Sequence, residues 1–305
     1  MSVPEEHHGG GRPDVIVPIW TAGLGAEFGR YRTEMTRRRI MAFAAGIGAD
    51  EALYFDDARP EGIVAPLAIT CSTDWQIFTQ PDWLAAIGRD PDTMFNHLVH
   101  GSQVTEFHRA VRPGDLLEVV GRIVELRASR AGALVTVRIE TTEASSGTPV
   151  ATGWFASLYR ETPLDGPGGA SEAVPVLRAQ PEIAGQSTVN ALPVPRTQAH
   201  VYTECADIWN PIHTERAFAL ASGLPDIILH GTCTWARTLQ LLAAVHRPGS
   251  ERPFRRFGAR FSGYVVPGHT VQVEHSEPDE DGRIAFLVRN AKGRIALSHG
   301  LADLA

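Results

Sequence analysis

Residues 202–213 dominate the interpretation of this chain, and their sequence is Tyr202-Thr203-Glu204-Cys205-Ala206-Asp207-Ile208-Trp209-Asn210-Pro211-Ile212-His213. The last seven of these residues contain a carboxylate, an amide and an imidazole. Pro211 fixes its own φ and favours an extended conformation at Asn210, which predicts a stiff loop. A carboxylate and an imidazole on a stiff loop are suited to general acid–base chemistry.

Two helices are predicted after this loop. Thr214 is expected to cap a helix over 215–222, which Gly223 ends in the left-handed conformation. His230-Gly231 is expected to open a second helix that continues to about His246. The N–H of Gly231 would then point outwards from a helix N-terminus, where it can stabilise a developing oxyanion.

The pattern resembles that of the MaoC-like family of R-specific enoyl-thioester hydratases and dehydratases. That family has an Asp, one further residue, Asn-Pro-x-His, and later His-Gly at a helix start, which residues 210–213 and 229–231 match. Residues 260–268 also match the Arg-Phe-x-x-Pro-x-x-Pro-Gly strand pair of the family, except that Tyr264 replaces the first Pro. The resemblance covers the last third of the chain strongly and the first half more weakly.

One departure from the family pattern leaves two alternatives open. Two residues, Ile208 and Trp209, separate Asp207 from Asn210, where the family has one. Either the loop carries an insertion and Asp207 is the family's catalytic Asp, or the loop keeps the family's length and Ile208 occupies that position. Asp207 is the favoured hypothesis.

The resemblance implies the reaction and the roles of the residues. A trans-2-enoyl thioester is hydrated to the (R)-3-hydroxyacyl thioester, or dehydrated in reverse, by a water held between Asp207 and His213. Asn210 orients a neighbouring group, and the Gly231 N–H meets the enolate oxygen. Substrate binding is expected from His230, Trp209 and Thr232.

An internal repeat predicts two similar units. Phe, Val, Pro and Gly recur in register between residues 107–114 and 261–268. Each copy follows predicted helices and precedes strands joined by glycine turns. With the family resemblance this implies an α+β double hot-dog fold, in which each unit is a helix wrapped by an antiparallel sheet and the acyl chain lies between the units. The predicted strands are 100–108, 116–126, 133–142, 149–159, 254–264, 270–276, 284–290 and 294–302, and a helix is predicted over 31–45.

The boundaries of the two units are predicted from changes in amino-acid composition along the chain. Residues 1–13 are rich in Gly, His and Pro and are expected to be disordered, and 161–188 has the composition of a linker. An N-terminal unit would span 14–160 and a C-terminal unit 189–305. Because the first unit lacks the Asn-Pro-x-His loop, we expect it to bind the acyl chain while the second carries the chemistry. His100-Gly101 resembles a second His-Gly but precedes a predicted strand, so we interpret it as interface structure.

The amino-acid composition argues against several classes of protein. The 305 residues carry a formal net charge of −7, which argues against a nucleic-acid surface. No apolar run approaches a membrane span and no secretory signal is found, so a soluble, cytoplasmic protein is expected. The three cysteines lie far apart, and Asp207 with His213 would be too few ligands for a metal. Neither a metal nor another cofactor is expected.

The expected partner is an acyl-CoA or acyl-carrier-protein thioester, and hot-dog units commonly pair further, which predicts a homodimer. Two other functions remain as alternatives. If Ile208 replaces the Asp, His213 acts alone in an addition or isomerisation. The second alternative is a non-catalytic subunit that binds acyl thioesters.

Overall fold

The computed structural model describes residues 16–89, 98–177 and 187–305. In the first half, strand β1 is followed by four helices and five further strands. These elements are β1 (Glu27–Glu34), α1 (Arg37–Gly46), α2 (Ala52–Phe55), α3 (Thr70–Phe78), α4 (Pro81–Ala86), β2 (Leu98–Phe107), β3 (Leu116–Ser129), β4 (Gly132–Glu143), β5 (Pro149–Arg160) and the short β6 (Gly169–Ala170).

The second half repeats the order of one strand, then helices, then strands. Its elements are β7 (Ser187–Pro193), α5 (Gln198–Ala206), α6 (Arg216–Ala221), α7 (Gly231–His246), β8 (Phe254–Phe261), β9 (Thr270–Ser276), β10 (Arg283–Arg289) and β11 (Ile295–Leu304). All eight strands predicted from the sequence are present, with ends that differ from the predictions by a few residues.

The strands of both halves join in one continuous antiparallel sheet. Its order is β1-β3-β4-β5-β2-β8-β11-β10-β9-β7, with β6 paired to β3. The junction between the halves is the pairing of β2 with β8, where Gln103 lies opposite Ala259 and Ser102 opposite Arg260. Residues far apart in the chain therefore meet at this seam.

Alternation along the strands explains why the sheet buries one face. In β10, Ile284, Phe286 and Val288 are fully buried while the residues between them are more exposed, as a period of two requires. Helices cover both halves of the sheet: α3 packs on β1 and β3 and α4 packs on β1 in the first half, and α7 packs on β8 in the second. Helix α7 buries Trp235 edge-on against Phe257 of β8 at 4.8 Å between ring centroids. Two helix-covered halves in a single chain confirm the predicted α+β double hot-dog.

The two halves also contact each other through α1 and α5. A Cβ on Gly46 would lie 2.5 Å from the Cβ of Cys205, so only glycine permits this approach. The Gln198 side chain donates to the Gly46 carbonyl at 2.6 Å. Arg237 of α7 donates to the carbonyl of Ile47 at 3.1 Å, which ties the second half to the end of α1. The segment around α5 and α7 is consequently supported by both halves.

Three local predictions were wrong. Residues 31–34 are not helical but belong to β1, because Tyr31 and Thr33 pair with β3 and their neighbours alternate in exposure. Residues 202–206 form the end of α5 rather than a loop. Thr214 does not cap α6; its hydroxyl donates to the Glu215 carboxylate at 2.7 Å, and Glu215 occupies the N-cap position.

The predicted disordered segment, 1–13, lies outside the described residues. Of the predicted linker, the described part contains β6, and Ser187 already belongs to β7, which pairs with β9. The boundaries of the two units stay predictions. Within the described ranges, no helix has the length and apolar character needed to cross a membrane.

Candidate active site

The site begins where α5 ends. Asp207 adopts the left-handed conformation (φ 56°, ψ 45°) as the C-cap residue, and its N–H bonds the Thr203 carbonyl. This turn reverses the chain and sends Ile208 inwards, where it is 4% exposed, while Trp209 is 54% exposed. The two apolar neighbours thus point in different directions.

The Asn-Pro-x-His stretch forms a short 3₁₀ turn, Pro211–His213, that holds the imidazole. Asn210 caps it, because its side-chain oxygen accepts from the Ile212 N–H at 3.2 Å. Pro211 occupies the first position of the turn, where a missing N–H costs no hydrogen bond. Asn210 therefore acts on local structure, and the turn fixes the position of His213.

One nitrogen of His213 is held and the other is available. Nδ1 lies 2.8 Å from the Ile228 carbonyl, so Nδ1 carries the proton and donates it to that oxygen. No other group in the described parts of the chain bonds Nε2 of His213. Burial lowers the pKa of His213 to about 4, so the ring is neutral near pH 7 and Nε2 presents a lone pair. This is the state that a general base requires.

The ring of His230 packs directly against the ring of His213. The two imidazole rings stack with centroids 3.7 Å apart. Nε2 of His230 lies 3.1 Å from the Ile208 carbonyl and 3.2 Å from the Thr203 hydroxyl, so Nε2 carries the proton. Burial holds the pKa of His230 well below its usual value, and the neighbouring His213 lowers it further. His230 is therefore a buried, neutral partner of the loop.

Gly231 starts α7 beside these rings, and Thr232 follows it half-buried. The first N–H groups of a helix have no intrahelical acceptor and carry its positive partial charge. A Cβ on Gly231 would lie 2.9 Å from the Phe261 ring, so a side chain there would require a shift of neighbouring atoms. Gly231 thus follows directly after His230, whose ring stacks on that of His213.

The Asp207 carboxylate is held by the other half of the chain. The Gln76 amide of α3 donates to the Asp207 carbonyl at 2.9 Å and to its carboxylate at 3.1 Å. The groups that set the pKa of His213 are its buried surroundings and the Ile228 carbonyl, and Asp207 is not among them. Asp207 itself is exposed.

The structure thus brings His213, His230 and Gly231 together, and Asn210 caps the turn that holds His213. The Asp207 side chain is instead hydrogen-bonded to Gln76, and Trp209 is exposed on the surface. Ile208 occupies the loop position nearest His230, and its main-chain carbonyl rather than a side-chain carboxylate faces that ring.

Sequence reasoning gave no site role to three residues near it: Gln76, Phe261 and His100, the last of which was predicted as interface structure and lies at the seam between the halves. The Phe261 ring packs on Gly231 and lies 4.1 Å from the His100 ring, measured between centroids. The repeated Phe in 107–114 and 261–268 was a signal for Phe261. Gln76 gave no signal, because its partner lies 131 positions away.

Two family models match the chain. Residues 22–153 match the model of the FAS1-like dehydratase domain region, and residues 179–291 match the MaoC-like domain. 3-Hydroxyacyl-thioester dehydratase Y of Mycobacterium tuberculosis is 28% identical over 285 residues, covering 88% of this chain and 93% of that protein. Enoyl-CoA hydratase ChsH3 of the same organism is 26% identical over 257 residues, covering 82% of this chain and 86% of the relative.

A MaoC-like dehydratase from Phytophthora capsici has a similar structure. Its TM-score is 0.79 at 19% identity, over 92% of this chain and 96% of that one. At this level of identity the likeness concerns the fold.

Proposed function

Because this chain belongs to the MaoC-like family, we propose that it catalyses the reversible hydration of a trans-2-enoyl thioester to the (R)-3-hydroxyacyl thioester. The observation that carries the proposal is the free Nε2 of a neutral His213 beside the N-terminus of α7. The named relatives, a 3-hydroxyacyl-thioester dehydratase and an enoyl-CoA hydratase, support the reaction class of a hydro-lyase.

In the proposed reaction the thioester carbonyl oxygen accepts a hydrogen bond from the Gly231 N–H. Nε2 of His213 takes one proton from water while the water oxygen bonds C3. The electron pair of the double bond moves towards the carbonyl, and the enolate oxygen is stabilised by the helix N-terminus. Protonated His213 then delivers its proton to C2, which restores the neutral imidazole. Dehydration follows the same steps in reverse.

One acid–base group suffices for this sequence, because His213 both takes and returns the proton. We therefore assign the proton transfer to His213, and we give the catalytic role predicted for Asp207 less weight. Two contacts support this order: the Asp207 carboxylate is occupied by Gln76, and the Ile208 carbonyl faces the ring that supports His213. Asp207 then connects the catalytic loop to α3 of the first half.

The substrate is an acyl thioester of coenzyme A or of a carrier protein, bound between the halves with its acyl chain against the first unit. His230 and Thr232 border its thioester end. A homodimer is the proposed assembly.

The test is a panel of trans-2-enoyl-CoA thioesters of increasing chain length, incubated with the purified protein. Loss of the enoyl absorbance measures hydration, and chiral chromatography of the product measures its configuration. We expect turnover and an (R) product. His108→Ala is the matched control, because His108 is exposed on the first half and, among the described residues, its imidazole bonds Thr152 alone. Binding of every thioester without turnover would instead support a non-catalytic acyl-thioester-binding subunit.

A further inference from the structure

His100 lies at the seam between the halves and has no role in the proposed reaction so far. It is in β2, where the pairing with β5 shifts by one residue between His100 and Ser102. Its ring stacks on Phe155 at 3.6 Å and 12°, and it tilts against Phe261 at 4.1 Å. Both faces of the imidazole are covered by aromatic rings, so only its edge can contact a ligand.

The edge of His100 carries an unsatisfied nitrogen. Burial lowers the pKa of His100 to about 3, whereas a backbone hydrogen bond at Ser102 raises it. A bond with that effect is one in which a ring N–H donates to a carbonyl. The other nitrogen, Nε2, therefore has the lone pair, and it is buried with no hydrogen-bond partner within the described ranges.

Phe261 connects His100 to the candidate site. The Phe261 ring contacts both Gly231 and the His100 ring, so it links the start of α7 to β2 of the first half. Gly231 directly follows His230, whose ring stacks on His213. We infer that a thioester with its carbonyl oxygen at the Gly231 N–H lies within reach of His213 of the second half and of His100 of the first.

The proposed hydration also leaves one group without a partner. Water has two protons, and His213 takes only one of them. The second stays on the oxygen that becomes the 3-hydroxyl, and in a buried site that O–H needs an acceptor. Ile208, whose carbonyl bonds His230, has no acceptor in its side chain, and the Asp207 carboxylate is engaged by Gln76. Nδ1 of His230 also has no partner within the described ranges, but one face of its ring is covered by the stacked His213 ring.

We propose that Nε2 of His100 accepts the hydrogen bond of this second proton, and so positions the water and recognises the 3-hydroxyl of the hydroxyacyl thioester. This inference rests on the proposed function and extends it: the first half supplies a polar substrate contact as well as an apolar wall. No bond is made or broken at His100, and its proton count is unchanged through the reaction.

Two variants separate this role from a structural one. His100→Phe keeps an aromatic ring between Phe155 and Phe261 but removes the acceptor. His100→Gln removes the ring but keeps an amide oxygen that can accept. Thermal unfolding of both variants checks that the fold survives.

The decisive measurement is binding of two ligands of equal chain length, a (R)-3-hydroxyacyl-CoA and the saturated acyl-CoA without the hydroxyl, by calorimetry. We expect the hydroxyl to improve the affinity of the parent about tenfold, and His100→Phe to remove that preference while leaving the saturated ligand within about twofold. His100→Gln should restore part of the preference. Equal preference in parent and His100→Phe would overturn the inference.

This readout needs no turnover, so it distinguishes the two proposals. A protein that prefers the hydroxyl through His100 but never hydrates enoyl-CoA refutes the proposed function alone. In an active enzyme, His100→Phe should lower kcat/KM for hydration at least tenfold without shifting its pH profile.

Discussion

The Gln76 side chain donates two hydrogen bonds to Asp207, one to its main-chain carbonyl at 2.9 Å and one to its carboxylate at 3.1 Å. Gln76 belongs to α3 of the first half, and Asp207 belongs to the loop of the second half that carries His213. The bond fixes the left-handed residue from which the chain turns into the buried Ile208. It gives Asp207 a defined partner that is not His213.

The first prediction follows from that contact. Asp207→Asn keeps the size of the side chain and an oxygen for the Gln76 amide, so we expect kcat/KM for enoyl-CoA hydration within about fivefold of the parent. An exposed hydrogen bond of this type contributes about 1 kcal/mol or less. Steady-state kinetics with one enoyl-CoA measure it. A loss of a hundredfold or more would return Asp207 to the role of second catalytic group that the sequence favoured.

His213 should behave in the opposite way. His213→Ala removes the proposed base, and losing a positioned acid–base group costs about 10²–10⁴-fold in rate. The fold should persist, because the His213 side chain is half-buried and its removal takes away one hydrogen bond of the ring, to the Ile228 carbonyl. Single-turnover rates measure chemistry apart from product release, with His108→Ala assayed in parallel. Near-parental rates would remove His213 from the mechanism.

Gly231→Ala tests the helix N-terminus. The new Cβ would lie 2.9 Å from the Phe261 ring, so either the start of α7 or this ring must shift, and we expect a stability loss of about 1–3 kcal/mol. Displacing the N–H should also lower kcat, by about 10²–10³-fold if it stabilises the oxyanion. Denaturant unfolding and kcat are measured together. Adding Phe261→Leu should recover stability by relieving the clash; an additive double mutant would show that the two residues do not interact.

Stability should fall as the pH is lowered from 7 towards 4. The folded-state pKa values of His213 and His100 are depressed to about 4 and about 3, and that of His230 lies well below its usual value. The unfolded chain therefore binds more protons than the folded one below about pH 6.5, and the stability present above that pH is lost as the pH falls.

Each of these groups contributes up to about 1.4 kcal/mol per pH unit in this window. Urea titrations at several pH values measure the slope, and His100→Phe should reduce it by one proton. An unchanged slope in that variant would show that His100 is not neutral in the folded protein. For activity, titration of His213 should leave kcat/KM unchanged between pH 6 and 8. It should lower kcat/KM as the pH approaches 4, where His213 becomes protonated.

The sequence by itself determined the local features of this protein. Alternating residues and glycine turns predicted the eight strands, the repeat in 107–114 and 261–268 predicted two halves, and Pro211 and Gly231 predicted a rigid turn and a helix start. These features depend on neighbours in the chain: φ restriction, capping and periodicity act over a few residues. The identity of His213 as the candidate base followed from the same local pattern.

Only the tertiary structure decided which side chains meet. Whether Asp207 or Ile208 faces the stacked pair of His213 and His230 depended on where α5 ends and on Gln76, 131 residues earlier. The place of His100 depended on the β2–β8 seam, which brings it against Phe261 of the other half. Contacts between distant segments arise from packing of whole halves, and no short-range propensity specifies them.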